Sequence, residues 1–163
     1  MANLIYRAQE TAIQFSDTDG DYVITLANLA TATGRVSARV DRGVGSKPAR
    51  YKWRASFQFQ AGLAVNQSVD IVLGESDGTY ADGVVGTGDA ALTEYQAANM
   101  QTIGKVYVQS ATANTSFVAS GTCWIMERYF CVGAFNYGAV LRNLNNINRI
   151  IVIPMPDEVQ DYA

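Results

Sequence analysis

The side chains that most often carry enzymatic chemistry are scarce in this chain. None of its 163 residues is a histidine. Ser-His-Asp and Cys-His nucleophilic catalysis need an imidazole as general base, and many zinc sites need one as a ligand. The sequence also contains no G-x-G-x-x-G or Walker pattern that would indicate a nucleotide cofactor. We therefore expect no enzymatic activity and assign no catalytic, metal-binding or cofactor-binding residue.

One acidic cluster, Asp17-Thr18-Asp19-Gly20-Asp21, has the composition of a cation-binding loop. Calcium takes several carboxylate or carbonyl oxygens from a single loop. An EF-hand loop needs glycine at position six and glutamate at position twelve, and counting from Asp17 gives Tyr22 and Asn28 there. The EF-hand pattern therefore fails. The cluster is either a polar turn before a strand, which we favour, or a calcium loop of another kind.

The two cysteines, Cys123 and Cys131, are eight residues apart and have apolar neighbours. We predict that both are reduced and buried as small hydrophobic residues. A disulfide across a hairpin is geometrically possible, and spacing alone does not establish that pairing.

Carbohydrate binding or cleavage would need paired acids or exposed aromatic rings. Glycoside hydrolysis requires two carboxylates that face each other across a cleft. Nothing in the sequence pairs the available acids, which are Asp70, Glu75, Glu94 and Glu127. Aromatic rings at strand positions more often fill a core than stack on a sugar. We therefore expect core positions for the four candidate rings, Trp124, Tyr129, Phe130 and Tyr137.

Composition and charge argue against several classes of partner. Apolar residues make up 48% of the chain and charged residues 17%, which suits one packed β domain over 1–163. The net charge is −3, and the basic residues between Arg35 and Arg54 are what strand alternation would give. We predict no nucleic-acid binding, since that needs many clustered cations. No apolar stretch predicts a membrane span or a secretory signal, so we expect synthesis in a cytoplasm.

The clearest structural pattern runs from Tyr51 to Gln60, where apolar and polar side chains alternate strictly. This period of two defines a strand with one buried face. We predict that its apolar face is in the core, including Trp53, Phe57 and Phe59. We predict that its polar face is exposed, including Lys52, Arg54 and Gln58.

Further strand candidates follow at similar spacing, separated by turn residues. They are 22–29, 36–41, 69–74, 103–109, 115–120, 123–127, 129–135 and 149–153. The segment 36–41 is joined to 51–60 either as a hairpin or as a connection between facing sheets. A short helix is expected within 92–100. About eight strands of this kind predict an all-β fold, an antiparallel β-sandwich or jelly roll.

The two chain ends do not fit this pattern. Residues 1–15 mix both periods, and Pro154 and Pro156 bar regular pairing over 154–163. Both segments still carry large apolar side chains that a solvated tail would not need. We expect an N-terminal arm and a C-terminal tail that contact another chain, although they could instead cover the ends of their own sandwich. The contact residues would be Ile5, Tyr6, Phe15, Met155, Val159 and Tyr162.

The order of four segments resembles the small virion proteins encoded near the capsid genes of tailed bacteriophages. The segments are GRVSARVD (34–41), FQF (57–59), VDIVLGESDGTY (69–80) and IVIPMPDEVQ (151–160). The resemblance implies a jelly-roll cement or decoration protein that binds the capsid surface as a homotrimer and bridges major capsid proteins. It implies a location on the virion and transfers no catalytic residue.

Two other functions are open at this stage. One is a carbohydrate-binding or receptor-binding β-sandwich module of a tail or head fibre. The other is a different virion part, such as a tail-tube or head-completion protein. Fold alone does not choose among them, because one sandwich architecture hosts many functions.

Overall fold

The computed structural model describes residues 11–45, 47–81, 86, 88–143 and 147–155, together with the backbone pairing of 4–5 and 159–160. The described residues form thirteen strands and one short helix, α1 (Glu94–Ala98). Eight strands have four residues or more: β2 (Ile13–Ser16), β4 (Thr33–Val36), β6 (Arg50–Gln58), β7 (Ser68–Ser76), β9 (Gln101–Tyr107), β10 (Ser116–Trp124), β11 (Tyr129–Asn136) and β12 (Arg149–Pro154). The short ones are β1 (Leu4–Ile5), β3 (Tyr22–Val23), β5 (Val40–Asp41), β8 (Ala90–Leu92) and β13 (Val159–Gln160).

The strands form two main sheets, which makes the protein an all-β sandwich. The first sheet has the order β10-β6-β12-β2-β3, and the second has the order β8-β4-β11-β7-β9, with β5 also paired to β11. Every pairing in the two sheets is antiparallel except the short parallel contact between β2 and β3. Strands β1 and β13 form a separate two-stranded ribbon.

The main core lies between the two sheets, and β6 shows how the sequence builds it. Its buried residues alternate with exposed Lys52 and Arg54. Trp53 is 3% exposed, and Phe57 and Phe59 are fully buried. The predicted burial of these three rings and the predicted exposure of the two cations are confirmed. Burying each large ring contributes about 1.5–3 kcal/mol relative to leaving it in water.

The predicted exposure of Gln58 is wrong. Its side chain is buried at the end of β6, where the loops around Asn114 and Arg142 cover it. Its amide nitrogen donates to the Asn114 carbonyl, and its amide oxygen accepts from the Arg142 guanidinium at 3.0 Å. The Gln58 main-chain N–H donates to Asn148 Oδ1 at 2.9 Å. Alternation predicts the face on which a side chain lies, and it does not predict which loop covers that face.

Trp53 lies between the first and second sheets and requires two glycines. A Cβ atom at Gly104 of β9 would lie 2.1 Å from Trp53 Cζ2, and one at Gly121 of β10 would lie 2.8 Å from Trp53 Nε1. The two glycines therefore provide the space for the indole. A bulge in β9, where Ile71 faces Gly104 and Val72 faces Thr102, accompanies this packing.

A second apolar cluster covers the outer face of the second sheet. Helix α1 contributes Ala97, and Met100 follows directly after it. Thr93 caps the helix: its hydroxyl accepts the Gln96 N–H at 3.2 Å, and the Gln96 side chain accepts the Thr93 N–H at 2.9 Å. This capping box fixes the helix start. The strand residues in the cluster are Val36, Val72, Leu92, Cys131 and Phe135.

Most predicted strands are present, with changes that have local causes. Segments 115–120 and 123–127 belong to one strand, β10. Segment 36–41 is joined to β6 by a connection between facing sheets, since β4 and β5 lie in the second sheet. The predicted strand 22–29 ends at Val23, because the Leu26 and Ala27 N–H groups donate to the Asp17 carboxylate instead of to a strand. Strands β1, β2, β8 and β13 were not predicted. The expectation that Pro154 and Pro156 bar regular pairing over 154–163 is wrong at Pro154, which pairs with Tyr51 at the end of β12, and at β13, which pairs with β1.

Candidate partner-binding surfaces

The acidic cluster at 17–21 organises a turn. Asp17 Oδ1 accepts the N–H groups of Leu26 and Ala27 at 3.0 and 3.2 Å, and Asp21 Oδ2 accepts that of Gln14 at 2.8 Å. These bonds support the interpretation as a polar turn. Within the described part of the chain, no three His, Cys, Asp or Glu side chains lie close enough together to hold a metal ion.

Both cysteines are buried thiols outside any disulfide, as predicted. Cys123 of β10 belongs to the main core, and Cys131 of β11 belongs to the second apolar cluster. Burial raises the pKa of Cys123 to about 11, with a smaller contribution from Glu75. Burial likewise raises the pKa of Cys131 to about 12. Neither thiol is poised as a nucleophile, because the thiolate is the reactive form.

Two cavities near the loop 42–49 have volumes of about 350 and 410 Å³ and share Arg42 and Lys47. The Arg42 guanidinium is already engaged there: it donates to the carbonyls of Pro48, Ile125 and Glu127 and to the Tyr51 hydroxyl. Arg42 therefore links the loop 42–49 by hydrogen bonds to the residues that follow β10. The other cation that lines both cavities, Lys47, is exposed.

Two of the four candidate acids line a smaller cavity of about 140 Å³ beside α1. Asp70 and Glu94 lie at this cavity with Tyr137. Asp70 accepts from Lys105 Nζ at 2.7 Å, and the Tyr137 hydroxyl donates to Glu94 at 3.3 Å. Glu75 instead accepts the Met126 N–H at 2.6 Å. Glu127 is exposed in the connection between β10 and β11.

The expectation that the four aromatic candidates lie in the core is correct for Phe130 alone. Phe130 is fully buried, whereas Trp124 is 57% and Tyr137 is 42% exposed. Tyr129 is half-buried, and the guanidinium groups of Arg39 and Arg128 lie 4.5 and 4.8 Å from its ring centroid. Trp124 is the last residue of β10 and lies on its outer face, and Tyr137 follows directly after β11. Neither side chain has a layer of the described residues packed over it, which is why the expectation fails at both.

The predicted contact residues at the chain ends have different outcomes. Phe15 is fully buried in its own sandwich and stacks on Tyr22 with ring centroids 5.7 Å apart, so its assignment as a partner contact is wrong. It belongs to β2, which pairs with β12 in the first sheet and so places the Phe15 ring in the main core. Tyr6 and Tyr162 lie outside the described residues.

Of the remaining predicted contacts, Ile5 and Val159 lie in the ribbon that joins the chain ends, and Met155 lies beside the start of β6. The backbone of Ile5 pairs directly with that of Val159, and Leu4 pairs with Gln160. Met155 is half-buried, and its N–H donates to the Arg50 carbonyl at 2.9 Å. The two segments predicted as separate arms are therefore joined to each other as a ribbon.

A surface that sequence reasoning dismissed is the outer face of the first sheet. Arg50, Lys52 and Arg54 project from β6 at every second residue, and Arg149 projects from the neighbouring β12. All four are exposed. We call the outward-facing residues of β10, β6 and β12 the basic face. Strands β10, β6, β12 and β2 contain no aspartate or glutamate, so no acid from them balances these cations.

In the described part of the chain, three cations elsewhere on the protein are in ion pairs, and those of the basic face are not. Among the described residues, the ion pairs are Arg35–Asp89, Lys105–Asp70 and Arg128–Asp41, and none includes a basic-face cation. The Arg128 guanidinium, helped by the Gly43 N–H, lowers the pKa of Asp41 to about 2. Alternation within β6 predicts that Arg50, Lys52 and Arg54 lie on one face. The pairing register that brings Arg149 beside them could not be predicted from the sequence.

Along the described residues, no helix is long and apolar enough to cross a membrane. No protein-family model matches the chain, and a search of curated proteins finds no significant relative. Functional assignment therefore rests on the fold and on these surfaces.

Proposed function

We propose that the protein is a virion structural protein of a tailed bacteriophage, a cement or decoration protein with a jelly-roll fold. It would bind the outer capsid surface and stabilise the shell by bridging major capsid proteins. The observation that carries the proposal is the order of the eight longer strands: β10-β6-β12-β2 in one sheet and β4-β11-β7-β9 in the other. The chain changes sheet at each step between them except from β7 to β9. Two interleaved Greek keys have this order, and they are typical of viral capsid and lectin jelly rolls.

The joined chain ends support a role in assembly. In the proposed homotrimer, the β1–β13 ribbon adds to a neighbouring subunit, and Ile5, Tyr6, Met155, Val159 and Tyr162 are its contact residues. An extended segment that pairs by main-chain hydrogen bonds is a common way to join subunits. Each buried apolar side chain would contribute about 1.5–3 kcal/mol, so a few suffice to hold a subunit.

The test combines mass in solution by light scattering with co-sedimentation on capsids of the phage that encodes the chain. We expect a trimer that sediments with capsids. Deletion of residues 155–163, or separately of 2–10, should lower the oligomeric mass in solution and weaken retention on capsids. The β-sheet signal in circular dichroism should be unchanged, which would show that the truncated forms are still folded. If the folded parent protein does not sediment with capsids, the proposal is wrong. Closed rings in electron micrographs would instead favour a tail-tube or head-completion protein.

A carbohydrate-binding or receptor-binding module is the second candidate, and the cavity beside α1 favours it. There the half-exposed Tyr137 ring lies with the carboxylates of Asp70 and Glu94, a combination of stacking surface and hydrogen-bond acceptors that suits a sugar ring. A glycan array tests it directly: a sugar-binding function predicts retention that Tyr137→Ala abolishes. No retention on any glycan would remove this candidate.

A further inference from the structure

We propose that the basic face docks on an acidic protein surface, which under the proposed function belongs to the major capsid protein. The inference rests on that function and specifies the chemistry of its partner. The face is a sheet surface that carries four exposed cations on a chain whose net charge is −3. Its occupant must supply the negative charge that the face itself lacks.

The basic face brings four like charges close together on one sheet surface. Arg50, Lys52 and Arg54 are two residues apart, which places neighbouring Cα atoms about 6.6–6.8 Å apart along the strand. Arg149 pairs with Ser56 and is thus the diagonal neighbour of Arg54 across the sheet. Diagonal neighbours lie about 7–8 Å apart, within reach of long side chains. The four cations thus lie close together with no ion pair among the described residues, whereas Lys105, for example, is paired with Asp70.

The residues between the cations favour a protein partner. Across the strands, Trp124 faces Arg50, and the half-buried Ile153 and Ile151 face Lys52 and Arg54. Val118, 57% exposed, continues the β10 row. Protein interfaces are enriched in tryptophan and arginine and depleted in acids, which matches this composition. Arginine also pairs with carboxylates through two parallel hydrogen bonds.

Nucleic acid is the less favoured occupant. Proteins held by phosphates typically make about 6–10 phosphate contacts, and this face offers four cations and one exposed aromatic ring. The remaining surface of an acidic chain would repel a polyphosphate. An acidic patch on a folded protein needs only local complementarity, and the apolar side chains between the cations would be buried with it.

The chain offers a matched pair of lysines for the test. Lys52 and Lys47 are both exposed, and only Lys52 lies on the basic face. Lys52→Glu and Lys47→Glu therefore make the same charge change at different places. In capsid co-sedimentation at about 100 mM salt, we expect Lys52→Glu to weaken binding clearly more than Lys47→Glu does, and Lys52→Glu with Arg54→Glu to weaken it about tenfold or more, since like charges then face each other. Lys47→Glu should change binding less than about twofold, and raising the salt should weaken the parent more than the double variant.

The outcomes separate this inference from the proposed function. If the parent binds capsids and the double variant binds equally well, the inference falls and the function stands. If the parent does not bind, both fall. Binding of the parent to an oligo(dT) or a DNA duplex in the same buffer, lost in the double variant, would assign the face to nucleic acid and overturn the inference. A change in oligomeric mass of the double variant would assign it to a second copy and also overturn it.

Discussion

On the outer face of the first sheet, Arg50, Lys52 and Arg54 extend into solvent, whereas on the outer face of the second sheet Phe135 is 2% exposed beneath Leu92 and α1. Both sheets bury their inner faces in the same core. They differ in their outer covering: the capped helix α1 and Met100 pack on the second sheet, and among the described residues no such element covers the first. One outer face therefore contributes a second buried cluster to stability, and the other is exposed to solvent, the face that we propose docks on a partner.

The largest expected effect concerns outward-facing apolar residues on the two sheets. Phe135→Ala should lower the free energy of unfolding by about 3–5 kcal/mol, because it removes a buried ring from the second cluster. Val118→Ala, on the outer face of the first sheet, should change it by no more than about 0.5 kcal/mol. Urea denaturation measures both. Equal losses would show that the first sheet is covered as well.

The contact between the sheets at Trp53 should be nearly as sensitive. Gly104→Ala should destabilise the protein by about 1–3 kcal/mol, since its Cβ would overlap the Trp53 ring and force the β9 strand to shift. Gly88→Ala is the matched control, because no atom lies within 4 Å of a Cβ placed there. Thermal denaturation compares the two, and an unchanged midpoint for Gly104→Ala would contradict the packing described for the indole.

Loss of the helix cap should have a moderate effect on the covered face alone. Thr93→Ala removes the acceptor for the Gln96 N–H and should cost about 1 kcal/mol. Thr93→Ser keeps the hydroxyl and should cost much less. Hydrogen exchange should show faster opening around α1 and Met100, with β6 and β12 unchanged. Uniform acceleration across both sheets would argue that the second cluster is not a separate layer.

The smallest expected effect is at the two thiols, one in each apolar cluster. With pKa values of about 11 and 12, both are protonated near neutral pH, so native protein should not react with a thiol reagent. Two thiols should react after unfolding without reductant. Fewer than two would indicate a disulfide, which would contradict the reduced state.

The same thiols predict a pH dependence. Their folded-state pKa values lie above the ordinary value of 9.0, so folding favours the protonated form. Their contribution to stability is therefore complete below pH 9.0 and decreases as the pH rises through about 11 and 12. The urea midpoint of Cys123→Ala with Cys131→Ala should fall less steeply above pH 9.0 than that of the parent. Parallel curves would contradict the assignment.

Sequence reasoning worked where a pattern was local. Strict alternation over 51–60 predicted the buried rings and the exposed Lys52 and Arg54, because a pleated strand forces neighbours to opposite faces. Sequence reasoning failed at Gln58, Trp124 and Tyr137, because the exposure of these side chains depends on whether a distant loop lies over them. It also failed at Phe15, since the four-residue strand β2 is too short to show its period beside an irregular segment.

Alternation and turn residues by themselves determined an all-β chain and the two faces of β6, and the absence of histidine from the sequence excluded a histidine-based site. The tertiary structure alone decided that β12 pairs with β6, which places Arg149 among three other cations, and that β1 pairs with β13. These pairings join segments that lie far apart along the chain. The free energy that selects them comes from burying a shared core, and that gain depends on the whole arrangement instead of on any one segment.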